Sequence, residues 1–137
     1  LMMSAAHKVI AEDVTVPRDR IPAYLQALRE ISVRLGVAVG ASGHAGDGNI
    51  HPSIMLFNNS PEEVEKSNGA VREIVKAVLN MGGSISGEHG IGWHKAEFIV
   101  AELGQRQVDL MKEIKKAFDP TGMMNPGKIW VDGGAAC

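Results

Sequence analysis

Two short segments rich in histidine and glycine carry the residues best suited to chemistry. The first is GHAGDGNIH at residues 43–51, and the second is GEHGIG at residues 87–92. His44 and His51 lie seven positions apart, so on one straight strand their side chains would point to opposite faces. A sharp glycine-rich turn between them can bring both imidazoles to one point.

Two histidines and one carboxylate form a common ligand set for zinc, iron or manganese, and they leave coordination positions open for a substrate. Adjacent residues of an extended segment point to opposite sides. We therefore assign Glu88 to a metal, together with His44 and His51, and His89 to the substrate side. A glycine-rich turn is more often only a hairpin turn, but two such clusters in one short chain are harder to explain in that way.

A third segment, DPTGMMNPGK at residues 119–128, contains two prolines and two glycines. Such a composition predicts a rigid, irregular tail after a helix. Asn125 and Lys128 are the polar groups that this tail would present. A turn that simply ends the domain explains the segment as well as a ligand contact does.

The periodicity of the apolar residues predicts the elements that position these segments. Strands are predicted at 7–16, 37–42 and 50–57, and a fourth begins at 84–86. Helices are predicted from Ile21 to Leu35, from a capping box at 60–63, around 95–102 and at 105–118. The last helix carries an apolar stripe of Val108, Met111, Ile114 and Phe118.

The order of elements is strand, helix, strand, strand, helix, strand, followed by further helices. Right-handed crossovers in that order give an α+β, ferredoxin-like βαββαβ fold with a four-stranded antiparallel sheet and both helices on one face. We expect the apolar stripes of the helices to be buried. Both histidine segments fall at strand ends of this sheet and can converge.

Composition excludes several classes of protein. The chain has 137 residues, enough for one domain, with 14 Lys and Arg against 16 Asp and Glu, so nucleic acid is not an expected partner. No apolar stretch approaches the roughly 20 residues of a membrane span. The one cysteine, Cys137, excludes a disulfide framework and fits a reducing, cytoplasmic setting. Neither G-x-G-x-x-G nor a P-loop is present.

Four segments together resemble the C-terminal domain of FAD-linked oxidases of the vanillyl-alcohol oxidase type. They are EDVTVP at 12–17, the two histidine segments with Lys95 after the second, and FDPTGMMNPGKIW at 118–130. The resemblance extends over residues 9–130. Within the family it is strongest to D-lactate dehydrogenase, the glycolate oxidase flavin subunit and D-2-hydroxyglutarate dehydrogenase.

The resemblance implies a flavin-dependent 2-hydroxy-acid dehydrogenase or oxidase, of the D-lactate or glycolate type. In this chemistry a divalent metal, zinc, manganese or iron, polarises the substrate, a histidine accepts the hydroxyl proton and FAD accepts the hydride. By position, the metal ligands match His44, His51 and Glu88, the base matches His89, and Asn49, Asn125 and Lys128 match positions near the flavin and substrate.

The family's FAD-binding domain precedes this segment and is absent from the sequence, as is the stretch that supplies an arginine for the substrate carboxylate. We therefore expect residues 1–137 to be one domain that is inactive alone and does not hold FAD tightly. The expected partners are a small 2-hydroxy acid, the FAD-binding domain and an electron-acceptor protein or subunit, which would also explain any attachment to a membrane surface.

Without its partner domain, such a chain would expose apolar area at the glycine-rich turns and the 119–128 tail, and a second copy of the chain could cover it. An alternative function is a stand-alone metal-binding or regulatory ferredoxin-like module with no redox activity. A plain interaction domain would leave the histidine and glycine clusters unexplained.

Overall fold

The computed structural model describes residues 5–58 and 60–130. Its sheet contains the strands β1 (Lys8–Ala11), β2 (Val14–Thr15), β3 (Ala38–His44) and β4 (Asn49–Leu56), with β4 at the centre. Two short strands, β1 and β2, pair with one edge of β4, and β3 pairs with its other edge. All three are antiparallel to β4. The registers place Val9 opposite Met55, Val14 opposite Ile50 and Val39 opposite Ile54.

The strand predicted from residue 84 is reduced to a single antiparallel bridge between Ser84 and Thr15. Its backbone bonds run in both directions, at 2.8 and 2.9 Å. The bridge places the residue 84 segment beside β2, so this segment, β2, β4 and β3 are successive neighbours. The prediction of an antiparallel α+β fold is confirmed.

The strand predicted at 7–16 is interrupted at Glu12 and Asp13. The Glu12 N–H donates to the Pro52 carbonyl at 2.8 Å, but proline has no N–H to return the bond. The ladder therefore breaks for two residues and resumes at Val14 without a change of register. Asp13 lies in this interruption.

Helices α1 (Ile21–Leu35) and α2 (Pro61–Asn80) pack on one face of the sheet. The Ser60 hydroxyl caps α2 by accepting the Glu63 N–H at 3.2 Å, as the capping box predicts. The strand residues in this core are alternate ones, which share a face. The buried apolar core includes Tyr24, Leu28 and Ile31 of α1, Ala70, Ile74 and Val78 of α2, and Val14, Ile50, Ile54 and Leu56 of the strands.

The chain divides into two compact units, one ending at His89 and the other beginning at Gly90. In the second unit, a 3-10 turn at Ala96–Phe98 leads into α3 (Ile99–Leu103), and α4 spans Gln105–Phe118. Neither unit contains a described helix that is both long and apolar enough to cross a membrane.

The prediction that the apolar stripe of α4 is buried is wrong. Only Val108 is buried, whereas Ile114 is 52% exposed and Phe118 is 82% exposed. The reason is length, because α3, which packs on α4, has five residues and cannot cover the roughly four turns of its neighbour.

The tail that follows α4 is shaped by the buried carboxylate of Asp119. This carboxylate accepts the N–H groups of Met123 and Met124 at 3.0 and 2.9 Å and pairs with Lys115. The hydrogen bond from Lys115 is the main reason that the pKa of Asp119 lies below its ordinary value. The side chains of Met123 and Met124 are exposed, which agrees with the expected apolar surface on the tail.

Candidate functional site

The candidate site is assembled around the fully buried carboxylate of Asp13. One of its oxygens, Oδ2, accepts four hydrogen bonds from consecutive residues of the segment after Ser84. The donors are the Ser86 hydroxyl at 3.0 Å and the backbone N–H groups of Gly87, Glu88 and His89 at 2.8, 2.9 and 2.9 Å. The segment 86–89 therefore curls around the carboxylate and forms an anion-binding nest of N–H groups.

These bonds keep Asp13 ionised although it is buried. Burial raises its pKa, but the hydrogen bonds from His89, Glu88, Ser86 and Gly87 outweigh burial and lower the pKa from 3.8 to about 2. Because the folded pKa lies below the unfolded one, the ionised carboxylate stabilises the metal-free fold above about pH 4. That contribution is lost as the pH falls toward 2.

The hairpin of β3 and β4 places His44 and His51 on the same face of the sheet. His44 lies opposite Asn49, and His51 lies opposite Ser42, so the two histidines are diagonal neighbours across the strands. Because the chain reverses direction in the hairpin, the odd spacing of seven residues no longer puts the two side chains on opposite faces. This face carries the odd-numbered residues of β4 and is the one that α1 and α2 do not cover.

The carboxylate of Glu88 lies between the two imidazoles. Its Oε1 atom is 3.2 Å from His51 Nε2 and 3.5 Å from His44 Nε2, and the three ligand atoms all lie within 4.8 Å of one another. Ligand atoms around a tetrahedral zinc ion with bonds of about 2.0–2.1 Å are roughly 3.3 Å apart. The donor set and its spacing thus fit one small divalent ion.

His89 lies in the same cluster. Its ring stacks on that of His51, with centroids 5.1 Å apart and an interplanar angle of 11°, and its Nε2 is 3.8 Å from Glu88 Oε1. The expectation that Glu88 and His89 diverge assumed an extended segment, whereas the curl around Asp13 brings both side chains to the cluster. A second candidate ligand set therefore exists, formed by Asp13, His51 and His89.

Asn49 is buried at the end of this hairpin, and its side-chain amide packs against Gly87. A Cβ atom added to Gly87 would lie 2.5 Å from Asn49 Oδ1 and 2.6 Å from its Cγ. Position 87 therefore requires glycine, because any larger side chain would overlap the amide of Asn49. The predicted contact of Asn49 with flavin or substrate stays a prediction.

The other two residues predicted near the flavin, Asn125 and Lys128, belong to the second unit. Asn125 has a φ of 49°, a left-handed conformation that asparagine tolerates well. Lys128 is half-buried and precedes Ile129, whose N–H donates to the Gly92 carbonyl at 2.5 Å. Their proposed roles stay predictions.

The sequence pattern indicates no role for Asp13. The available signal was the pair Glu12–Asp13, the only two acids in the strand predicted at 7–16. Both are buried, and a buried carboxylate needs partners that a pattern within one strand cannot supply. These partners lie 73 to 76 positions further along the chain.

Comparison with known proteins gives a consistent result. The family model described as FAD linked oxidases, C-terminal domain, matches residues 1–129. The chain is 39% identical over 121 residues to the glycolate oxidase subunit GlcD of Bacillus subtilis, covering 88% of this chain and 26% of that protein. It is also 39% identical over 123 residues to the mitochondrial D-lactate dehydrogenase [cytochrome] 1 of Saccharomyces cerevisiae, covering 90% and 21%.

A solved structure shares the fold. The 4-ethylphenol oxidase from Gulosibacter chungangensis, in an isoeugenol complex, superposes with a TM-score of 0.65 at 23% identity, over 93% of this chain and 25% of that one. The chain thus spans about a quarter of the length of the proteins that it resembles.

Substitution of Gly87 tests how tightly the site is packed. We expect Gly87→Ala to lower the free energy of unfolding by about 1–3 kcal/mol, because the new methyl group overlaps the buried amide of Asn49. Urea denaturation followed by circular dichroism measures the effect. Gly46→Ala is the matched control, since a Cβ there meets nothing within 4 Å. Equal stability of the two variants would contradict the packing.

Proposed function

The chain belongs to the family of FAD-linked oxidase C-terminal domains, and from this we propose that it is the substrate- and metal-binding part of a flavin-dependent 2-hydroxy-acid dehydrogenase or oxidase. The names of its relatives support this substrate class, because glycolate and D-lactate are both small 2-hydroxy carboxylates. The oxidation removes a hydride from C2 and a proton from the hydroxyl group, and it leaves a 2-oxo acid.

The observation that carries the proposal is the convergence of His44, His51 and Glu88 on one point. These three residues would hold a divalent ion, zinc, manganese or iron, through two imidazole nitrogens and one carboxylate oxygen. When bound, such an ion supplies Lewis acidity to the hydroxyl and carboxylate oxygens of the substrate. Three protein ligands leave coordination positions open for these oxygens.

His89 is the residue that we propose accepts the hydroxyl proton. Its side chain is 58% exposed, so a substrate can reach it, and its stacking on His51 keeps it beside the metal ligands. FAD, held mainly by a domain outside this chain, supplies the acceptor for the C2 hydride. Asn49, Asn125 and Lys128 are proposed to contact the flavin or the substrate.

The partners of the chain follow from this assignment. The FAD-binding domain is the first, because the relatives extend well beyond the matched quarter of their length. An electron-acceptor protein or subunit would reoxidise the flavin.

A second function, a stand-alone metal-binding or regulatory module, is favoured by one observation. The three proposed ligands lie entirely within the unit that ends at His89, so binding the ion requires no other domain. This module would use the metal ligands but would not need His89 as a base.

Titration of the chain with Zn²⁺ or Mn²⁺ tests the metal site. We expect one ion per chain by isothermal titration calorimetry, and at least about 100-fold weaker binding in His51→Ala and Glu88→Gln, since losing a ligand exceeds the 10–100-fold effect of losing an outer partner. His7→Ala is the matched control, because His7 is a histidine of the first unit that lies outside the ligand set. Unchanged affinity in both ligand variants would exclude this site.

Turnover by the full-length protein, with its FAD-binding domain present, tests the role of His89. We expect His89→Ala to lower kcat on a 2-hydroxy acid by on the order of 10²–10⁴-fold, as is typical for a general base, while the metal content stays unchanged. The matched control is His94→Ala, whose ring stacks on Trp93 in the second unit. Turnover of His89→Ala at the unmodified rate would remove His89 from the mechanism, whereas no turnover by the unmodified full-length protein would favour the module without redox activity.

A further inference from the structure

Asp13 contacts two of the three proposed metal ligands in different ways. Its Oδ2 atom accepts the backbone N–H of Glu88 at 2.9 Å, which fixes the loop that carries the Glu88 carboxylate. Its other oxygen, Oδ1, lies 3.7 Å from Nδ1 of His51. One buried carboxylate therefore faces both a ligand on β4 and the loop that supplies another.

The side of the His51 ring that faces Asp13 determines which nitrogen is available to a metal. A neutral imidazole carries its proton on one nitrogen and offers the lone pair of the other. A carboxylate facing Nδ1 favours the proton there, and this leaves Nε2 free to act as the ligand. Nε2 is the nitrogen that lies 3.2 Å from the carboxylate of Glu88. Without a metal this second carboxylate favours the proton on Nε2, so the effect of Asp13 is isolated only when the Glu88 carboxylate is removed.

Oδ1 of Asp13 and Nδ1 of His51 face each other at 3.7 Å, beyond the distance of a hydrogen bond. The Nδ1 atom of His51 is buried and makes no hydrogen bond to any residue of the described ranges. A closer approach of about 0.8 Å would bring Nδ1 to the usual distance from Oδ1. Bonding of the second ring nitrogen to a carboxylate is a common arrangement for histidines that bind metals.

We infer that Asp13 is a positioning residue, which holds the Glu88 loop with Oδ2 and orients His51 with Oδ1 so that Nε2 faces the metal. The inference rests on the proposed metal site. If Asp13 only anchored the loop, the hydrogen bonds to Oδ2 would be enough. Its second oxygen, Oδ1, faces the ring of His51, and this contact can also fix the orientation of a metal ligand.

The variant Asp13→Asn separates the two roles. The amide oxygen can still accept the N–H groups of 87–89, but the amide NH₂ would face Nδ1 of His51 and donate to it. A donor at Nδ1 favours the opposite tautomer, with the proton on Nε2. A conservative substitution is thus expected to reverse which nitrogen of His51 is available.

Nitrogen-15 NMR of the chain with labelled histidine, recorded in EDTA at mildly alkaline pH, measures the tautomer directly. The tautomer is read in Glu88→Ala, which removes the carboxylate that faces Nε2. We expect the proton on Nδ1 of His51 in Glu88→Ala and on Nε2 when Asp13→Asn is added. Zinc affinity, measured separately without chelator, should fall about 10–100-fold in Asp13→Asn. Asp19→Asn, whose side chain is 78% exposed, should change neither quantity.

The two readouts distinguish failure of this inference from failure of the proposed function. If zinc binds the unmodified chain and Asp13→Asn equally well and the tautomer is unchanged, the metal site stands and the positioning role is wrong. If the tautomer reverses but no zinc binds to either chain, Asp13 orients His51 and the metal proposal fails. Should Asp13→Asn not fold, the tautomer of Glu88→Ala decides, since a proton on Nε2 there would overturn the inference.

Discussion

One buried carboxylate oxygen, Oδ2 of Asp13, joins the edge of the sheet to the loop that completes the site. An isolated buried charge is strongly unfavourable, so it persists only with enough hydrogen bonds. Four donors from residues 86–89 provide them, and together they outweigh the effect of burial on its pKa. The conformation of the loop, and with it the positions of Glu88 and His89, depends on this charge.

One face of the sheet packs into the apolar core, and the other face carries the candidate site. Even-numbered residues of β4, such as Ile50 and Ile54, join α1 and α2 in the apolar core. The odd-numbered His51 points to the other face, and the hairpin places His44 beside it. Because strand residues alternate between faces, the core and the candidate site share one strand without competing for positions. This separation lets the helices and strands pack without help from the site.

The sequence predicts those features that depend on local periodicity. Alternating residues of β4 and helical spacing from Ile21 to Leu35 are sufficient to predict the sheet and α1. The break at Glu12–Asp13 depends on the missing N–H of Pro52, a strand away, and the exposure of Phe118 depends on the length of α3. Glycine and histidine clusters indicated the candidate ligands, but the contacts of Asp13 join residues more than 70 positions apart, which local periodicity cannot predict.

Anomalous X-ray diffraction from zinc-soaked crystals of the chain, recorded at the zinc absorption edge, tests the central claim most directly. The claim is that the loop held by Asp13 completes a single metal site with the β3–β4 hairpin. It predicts one peak about 2.0–2.2 Å from Nε2 of His44, Nε2 of His51 and a carboxylate oxygen of Glu88. A peak held by Asp13, His51 and His89, or no peak at this cluster, would contradict it.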